Sequence, residues 1–535
     1  MSSSILRHRS FPFRAQVVAF ALAIAGIAAV TSYVVAAGTA PNIKPVVISD
    51  LPLYAATTGD KPALALALSV EYPTVGAQYL SGSSYATEDA TYSSSNEYLG
   101  YYNAEMCYTY QNTPTETPAT GKTIADYKRF VISGSATSRA CNDAFSGNFL
   151  NWASSSAIDM LRIALSGGDR YVDETNLTIL QRAILPDGDP VCMWNSTNFP
   201  GKKLAKGSDN KFSGAIPIAM ATAATNAGSS DIWIANTLNK IYFGTVKTGG
   251  CGNTASYTLG GPPGGYALGS IVSGSSLPSG ATYCAVENGS CNVTGTQEIW
   301  YGKDSYWKHA PASGTVPCSN SVFGDPISGQ QKSCYLVPYT GTWTPPATLN
   351  SDGFFYARAE VCAKNSDGTL KDERDYRFCT KYPSGSYKPT GTIQRYSDQL
   401  RLAAFGYVMD QTVSYSNGRY GGVLRAPMKF VGPRTFNTTG VETTPTTGNP
   451  VAEWDATSGI FATNPDGDTS QSPAISGVIN YLNKFGRTGP VAGRYKKYDP
   501  AGELYGETMR SLMGLSPSPL GRVNTNCRVG VNGQH

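Results

Sequence analysis

At 535 residues the chain exceeds the roughly 250 to 300 residues over which a single hydrophobic core grows, so several cores, or a domain with large insertions, are expected. Charged residues make up only 15%, while 57 Gly, 33 Pro and 33 Tyr are high; the balance suits an extracytoplasmic, loop-rich, β-containing protein, and 41% apolar residues exclude wholesale disorder. Of the formal charge of +4, Arg7, Arg9 and Arg14 supply three units, so the remainder is nearly neutral and carries no basic footprint for nucleic acid.

Residues 1–40 pair that basic segment with an apolar run from Val17 to Ala37, and Val35-Ala36-Ala37 or Ala40 offers a cleavage point, the pattern of a secretory signal peptide. An uncleaved anchor of about 20 apolar residues is the rival. Either exports the rest of the chain.

A first α/β part is expected over 41–185. Residues 61–70 are a continuous apolar run bounded by Gly59-Asp60 and Pro73, which predicts a buried strand of a parallel sheet, with a short helix as the alternative. From Gly147 to Leu165, Leu150, Ala153, Ala157, Ile158, Leu161 and Leu165 recur at helical spacing up to the Gly167-Gly168 stop, and Asp159 and Arg162 are expected to pair on the opposite, outer side. A strand is expected within 176–185.

Residues 186–390 read as a disulfide-stapled, β-rich or irregular insertion, with helical periodicity only from Ala215 to Leu238. Its first part holds six cysteines and Trp194, Trp233, Trp300, Trp307 and Trp343. Such aromatics either fill a small core or form a binding face, and partner recognition is expected to lie in this block. A second α/β part follows over 391–515, with a helix from Ile393 to Leu400, a buried strand from Leu402 to Met409, the turn pair Asn417-Gly418, a helix over Ala474–Lys484, and a final helix capped by Asp499-Pro500 and closed by Gly514. Residues 516–535 are a divergent tail.

Eleven cysteines fit an oxidising compartment. Pairing sequence neighbours joins Cys107 to Cys141, Cys192 to Cys251, Cys284 to Cys291, Cys318 to Cys334 and Cys362 to Cys379, and leaves Cys527 over; spacing alone does not establish the connectivity. His309 is the sole imidazole between the leader and the last residue, and it reads as an ordinary surface or loop residue. No nucleophile elbow, P-loop, H-E-x-x-H or C-x-x-C is present, so no enzymatic activity is expected. Asn464, Asp466 and Asp468 imitate the first ligands of a calcium loop, but Thr469 and Ile475 stand where its glycine and glutamate should be, and a structural turn is the leading reading.

Tyr98-Leu-Gly-Tyr-Tyr-Asn103, Ser146-Gly-Asn-Phe-Leu-Asn-Trp152, Arg419-Tyr-Gly-Gly-Val-Leu-Arg-Ala-Pro-Met428, Gly477-Val-Ile-Asn-Tyr-Leu-Asn-Lys-Phe-Gly486 and Tyr498-Asp-Pro-Ala-Gly-Glu-Leu-Tyr505 together resemble the amino-terminal half of PilY-type (PilC/PilY) type IV pilus biogenesis factors and tip-associated adhesins. The resemblance implies an α/β, von Willebrand factor A-like layer with insertions, and in the family a carboxy-terminal β-propeller follows. Ser69, Glu71 and Pro73 stand where such domains carry the D-x-S-x-S cation site, so no metal-dependent adhesion site is expected there. The family continues beyond Leu515 where this chain has its tail, which implies a degenerate, incomplete layer, no propeller, and a truncated or naturally short form.

The expectation is thus an exported, non-enzymatic factor of pilus assembly and tip adhesion, located in the periplasm, at the outer membrane or at the pilus tip. Type IV pilins, minor pilins and a host or abiotic surface receptor are its implied partners; calcium is the one cofactor considered. A secreted carbohydrate-binding protein, and a histidine-independent secreted hydrolase using Asp466 and Asp468, are the alternatives.

Overall fold

The computed structural model describes residues 59–69, 72–81, 88–185, 199–245 except 227, 266–343, 354–408 except 373 and 375–377, 421–486 except 471, 495 and 500–515. In chain order, β1 (Ala63–Leu68) precedes the two-residue β2 (Glu88–Asp89), β3 (Met106–Gln111), β4 (Arg129–Ser135) and β5 (Phe145–Ser146), which runs straight into helix α1 (Gly147–Ser154). Helix α2 (Ala157–Ser166), β6 (Arg170–Glu174), β7 (Leu177–Gln181), β8 (Gly201–Ala205), helix α3 (Ile218–Asn226), β9 (Asp231–Thr237) and β10 (Lys240–Gly244) follow.

The middle of the chain holds β11 (Tyr266–Leu268), β12 (Val272–Gly274), β13 (Thr282–Val286), β14 (Ser290–Lys303), β15 (Tyr306–Pro317), the short helix α4 (Asn320–Phe323) and β16 (Ser333–Pro338). The return path is β17 (Phe355–Tyr356), β18 (Arg358–Val361), β19 (Cys379–Lys381), β20 (Tyr387–Pro389), α5 (Thr392–Arg395), β21 (Arg401–Tyr407), β22 (Gly422–Lys429), α6 (Val478–Lys484) and α7 (Ala501–Leu512).

The result is a mixed α/β structure, without a closed barrel or propeller among the described residues. A three-stranded sheet ordered β1-β21-β22 pairs β1 with β21 in parallel, and Leu402, Ala404, Tyr407, Val478, Tyr481 and Leu504 pack around it. Two further sheets, β5-β3-β4-β18-β7-β6 and β17-β10-β9-β8-β2, share one core that includes Phe130, Phe149, Trp152, Leu204, Ile232, Phe243 and Phe355. A separate sheet, β11-β15-β14-β16-β13, has its own small core.

Several expectations need correction. Within 186–390, β8, β9, β10 and β17 belong to the core shared with residues 92–180, while 266–338 carries a separate core among the described residues. The helix expected over 215–238 stops at Asn226, and Ile232 and Ile234 alternate as strand residues inside. The helix expected over 147–165 is two helices, broken where Ser155 leaves helical geometry.

The second of these helices buries Ile158 of the expected apolar stripe but also turns part of its polar side inward. Asp159 and Arg162 are buried while Leu161 is exposed. Their ion pair, at 3.5 Å, faces inward because each charge has further partners: Asp159 accepts the Ala183 N–H at 2.9 Å, and Arg162 donates to the carbonyls of Leu482 and Phe485 at 3.0 and 2.9 Å. Gly167, at φ 83°, closes α2; a Cβ there would lie 2.4 Å from the Pro389 carbonyl oxygen.

β1 runs parallel as expected, but Leu64 on it is exposed, so it is not covered on both faces. The helical turn at α5 is shorter than expected. Helix α7 starts at Ala501 with Pro500 in the cap position, and Asp499 and the 417–418 turn lie outside the described residues.

Candidate functional site

The two faces of the 266–338 sheet differ. In β14 the alternation of a strand sends Ile299 and Tyr301 to one side and Glu298 and Trp300 to the other. Ile299, Tyr301, Ala312, Val316, Cys318 and Cys334 meet Val322 and Phe323 of α4 and form the small core.

On the opposite face, register places Trp300 opposite both His309 and Tyr335, and Tyr283 opposite Tyr335. One aromatic row therefore crosses four strands. Tyr283 and Tyr335 lie 5.7 Å apart edge-on, Tyr335 and Trp307 5.7 Å, Trp307 and Trp300 6.5 Å, and Trp300 stacks on His309 at 3.9 Å with the planes 2° from parallel.

Glu298 fixes the inner end. One of its carboxylate oxygens lies 2.7 Å from His309 Nδ1 and the other accepts the Trp300 indole N–H at 3.1 Å. Trp300 and Trp307 are buried, whereas Tyr283 is 56% exposed, so the row opens to solvent at its Tyr283 end. His309, expected in a surface loop, is a strand residue clamped between a carboxylate and an indole. Among the described residues no serine, threonine or cysteine hydrogen-bonds its ring. The arrangement offers flat apolar rings with a few fixed polar atoms, chemistry suited to binding a partner surface or the C–H face of a sugar.

The Asn464–Asp468 loop is closed on itself. Asp468 N–H donates to Asn464 Oδ1 at 3.0 Å, Asn464 Nδ2 donates back to the Asp468 carbonyl at 2.9 Å, and Ser476 Oγ links Asn464 Oδ1 at 2.6 Å to the Asp466 N–H at 2.8 Å. The Asp466 carboxylate points away, into contact with the Lys429 ammonium, which also lies 3.2 Å from Glu453. Glu453 in turn accepts the first two N–H groups of α6, Val478 and Ile479, both at 2.7 Å. A Cβ on Gly477, at φ 98°, would lie 3.0 Å from that carboxylate, so glycine is required for the approach. Burial pushes the Glu453 carboxyl above its ordinary pKa despite Lys429 and the two N–H donors. The loop's three side chains thus do not converge, and among the described residues no group of three or more His, Cys, Asp or Glu forms a metal site.

Ser69 is exposed, and Glu71 and the Pro73 side chain lie outside what is described. The disulfides Cys107–Cys141, Cys284–Cys291, Cys318–Cys334 and Cys362–Cys379 are formed between sequence neighbours; Cys192, Cys251 and Cys527 lie outside the described residues. No described helix is long and apolar enough to cross a membrane.

Sequence reasoning missed the buried lysines. Lys202 pairs with Asp89 at 2.5 Å, both side chains 0% exposed, with its ammonium over the Trp152 ring; burial lowers its pKa to about 8. Its only sequence signal was a basic cluster at 202–206, which reads as solvated surface. The role of the two asparagines in the 146–152 string was equally hidden. Asn148 accepts the Tyr98 N–H at 2.7 Å, and Asn151 accepts from Tyr102 N–H at 3.1 Å while donating to the carbonyls of Tyr98 and Tyr102 at 2.7 and 2.8 Å. The strings at 98–103 and 146–152 are therefore two halves of one interaction.

Residues 89–239 match the family described as "PilY1 homolog, small alpha/beta domain". A type IV pilus biogenesis factor PilY1 homolog of Xylella fastidiosa is 28% identical over 485 residues, which covers 88% of this chain and 30% of that protein. A second protein of the same description from that organism is 33% identical over 17% of this chain and 5% of its own length, and the uncharacterized protein L701 of Acanthamoeba polyphaga mimivirus is 33% identical over 24% of this chain and 67% of its own. No solved structure matches.

Proposed function

We propose, from the premise that the chain is a PilY-type protein, that it acts as an exported, non-enzymatic factor of type IV pilus assembly and presents the aromatic row of its 266–338 sheet as an adhesive surface at the pilus tip. The chain spans about 30% of the length of the pilus biogenesis homolog it matches over most of its own residues, so the partners of the whole relative, pilins and minor pilins among them, enter here as part of the proposal. Four disulfides fit an exported protein. The parallel β1–β21 pair flanked by α2, α6 and α7 supports reading that layer as von Willebrand factor A-like.

The observation that carries the adhesive role is the row itself, open at Tyr283 on a sheet whose own core and two disulfides hold it rigid. The same row favours a glycan as the receptor class. Replacing Tyr283 and Tyr335 by serine in the native host should leave surface pili in normal number while attachment falls at least tenfold. Unchanged attachment would reject the adhesive surface, and loss of attachment only to deglycosylated surfaces would reject the glycan.

A further inference from the structure

Three fully described residues around the Asn464–Asp468 loop form a reactive set that a turn does not need. We propose that Lys429 and Asp466 become joined by an intramolecular isopeptide bond, with Glu453 as the base that releases the lysine amine. The side chains of Lys429, Glu453 and Asp466 are 9%, 0% and 8% exposed, and the Lys429 ammonium touches both carboxyl groups.

Charge counting points the same way. One ammonium between two carboxylates leaves a net negative charge in a buried place, so one carboxyl must hold a proton. Glu453 is held in place by two backbone N–H donors, and Asp466 Oδ2 is buried without a hydrogen-bond partner. The two carboxyl groups share that proton, and the reactive arrangement is the one that places it on Asp466 as the electrophile and leaves Glu453 free to act as the base.

The step balances without a co-reactant. Glu453 takes one proton from the ammonium, the freed amine attacks Asp466 Cγ, the N–Cγ bond forms and the Cγ–OH bond breaks. The hydroxyl leaves as water with a second proton from the nitrogen, and the first proton stays on Glu453, whose burial favours the neutral form.

Other buried lysines lack one element of this set and serve as internal controls. Lys202 meets a single carboxylate, Asp89. Lys388 meets Asp173, but Arg170 at 3.1 Å shares that carboxylate; burial alone would raise its pKa, and Arg170 with Lys388 hold it below the ordinary value, so it stays an anion. Lys332 lies between Glu287 and Asp325, and Asp325 is 37% exposed to water.

The test is a peptide map of the full chain, exported by its host, then denatured, reduced and digested with trypsin. A branched peptide joining Ala426–Arg434 to Thr435–Lys484, uncut after Lys429 and lighter than its two parts by one water, should be the main form, while cleavage after Lys202 and Lys332 is normal. K429R keeps the charge and should lose the branch entirely. A wild-type chain cut after Lys429, yielding only linear peptides, overturns the proposal. E453Q that is exported and still branched overturns the role of Glu453.

Discussion

Asn151 shows how much one side chain can hold. It is fully buried, and its amide satisfies one N–H and two carbonyls of the Tyr98–Tyr102 segment. Gly100 is tied to it, because a Cβ there would lie 2.1 Å from Asn151 Oδ1. Asn151→Ala strands all three backbone groups away from water, at about 1 to 3 kcal/mol each where no water enters. A loss of about 3 kcal/mol or more is expected in chemical denaturation, and a change below about 1 kcal/mol would contradict this account.

Asp159 gives a pH prediction. Burial raises its pKa from the ordinary 3.8 to about 6, with Arg162 and the Ala183 N–H opposing. A carboxyl raised in the folded state binds its proton more tightly there than in the unfolded chain, so its contribution is most favourable below about pH 4 and is lost as pH rises through 6. Asp159→Asn lacks that loss. The stability of the variant relative to the parent should therefore climb between pH 4 and pH 6 and stay level above, and a flat difference across that window in paired melts would exclude the assignment.

At the scale of elements, the sequence announced period and strand length well and orientation poorly. β1 and β21 were legible because their apolar runs are short and continuous, and they pair in parallel, but the step from a continuous run to burial on both faces fails at β1, where Leu64 is exposed. The direction of α2 was not legible. Apolar residues at helical spacing define a stripe, but the stripe is buried only if the polar one is unpartnered, and Arg162 finds its carbonyls at Leu482 and Phe485, far along the chain. The aromatic row was visible as composition, yet its order across β13, β16, β14 and β15 exists only in the register.

That sheet should unfold as its own unit. Cys318–Cys334 closes 16 residues, and a loop of that size is worth about 3 kcal/mol by restricting the unfolded chain. With Cys318→Ala and Cys334→Ala together, hydrogen exchange should accelerate throughout 290–338 and remain unchanged in β4, β7 and β18. Acceleration in both places would mean that the two cores are one cooperative unit.

For the whole molecule, the question is which part can be removed. Taken from composition, 186–390 is one insertion, and deleting 190–350 from it should abolish surface attachment while leaving the remainder able to fold. The cores say otherwise: Leu204, Ile232, Ile234, Ile241 and Phe243 are buried against Trp152, Phe149 and Phe355. At about 1.5 to 3 kcal/mol for each, they contribute about 10 kcal/mol, comparable to the entire net stability of a domain. The chain leaves this core at the end of β10 and returns in β17, which is paired to β10 in antiparallel register, Ile241 to Phe355. The two ends of the excursion are thus neighbours, and a short glycine link can replace 246–353. That variant should be exported, melt cooperatively and still support pilus assembly, while attachment is lost with the aromatic row. Removing 199–245 instead should yield aggregated or degraded protein. If the first variant is as unstable as the second, the 266–338 sheet is part of the main fold; if it folds and attaches normally, the adhesive surface lies elsewhere.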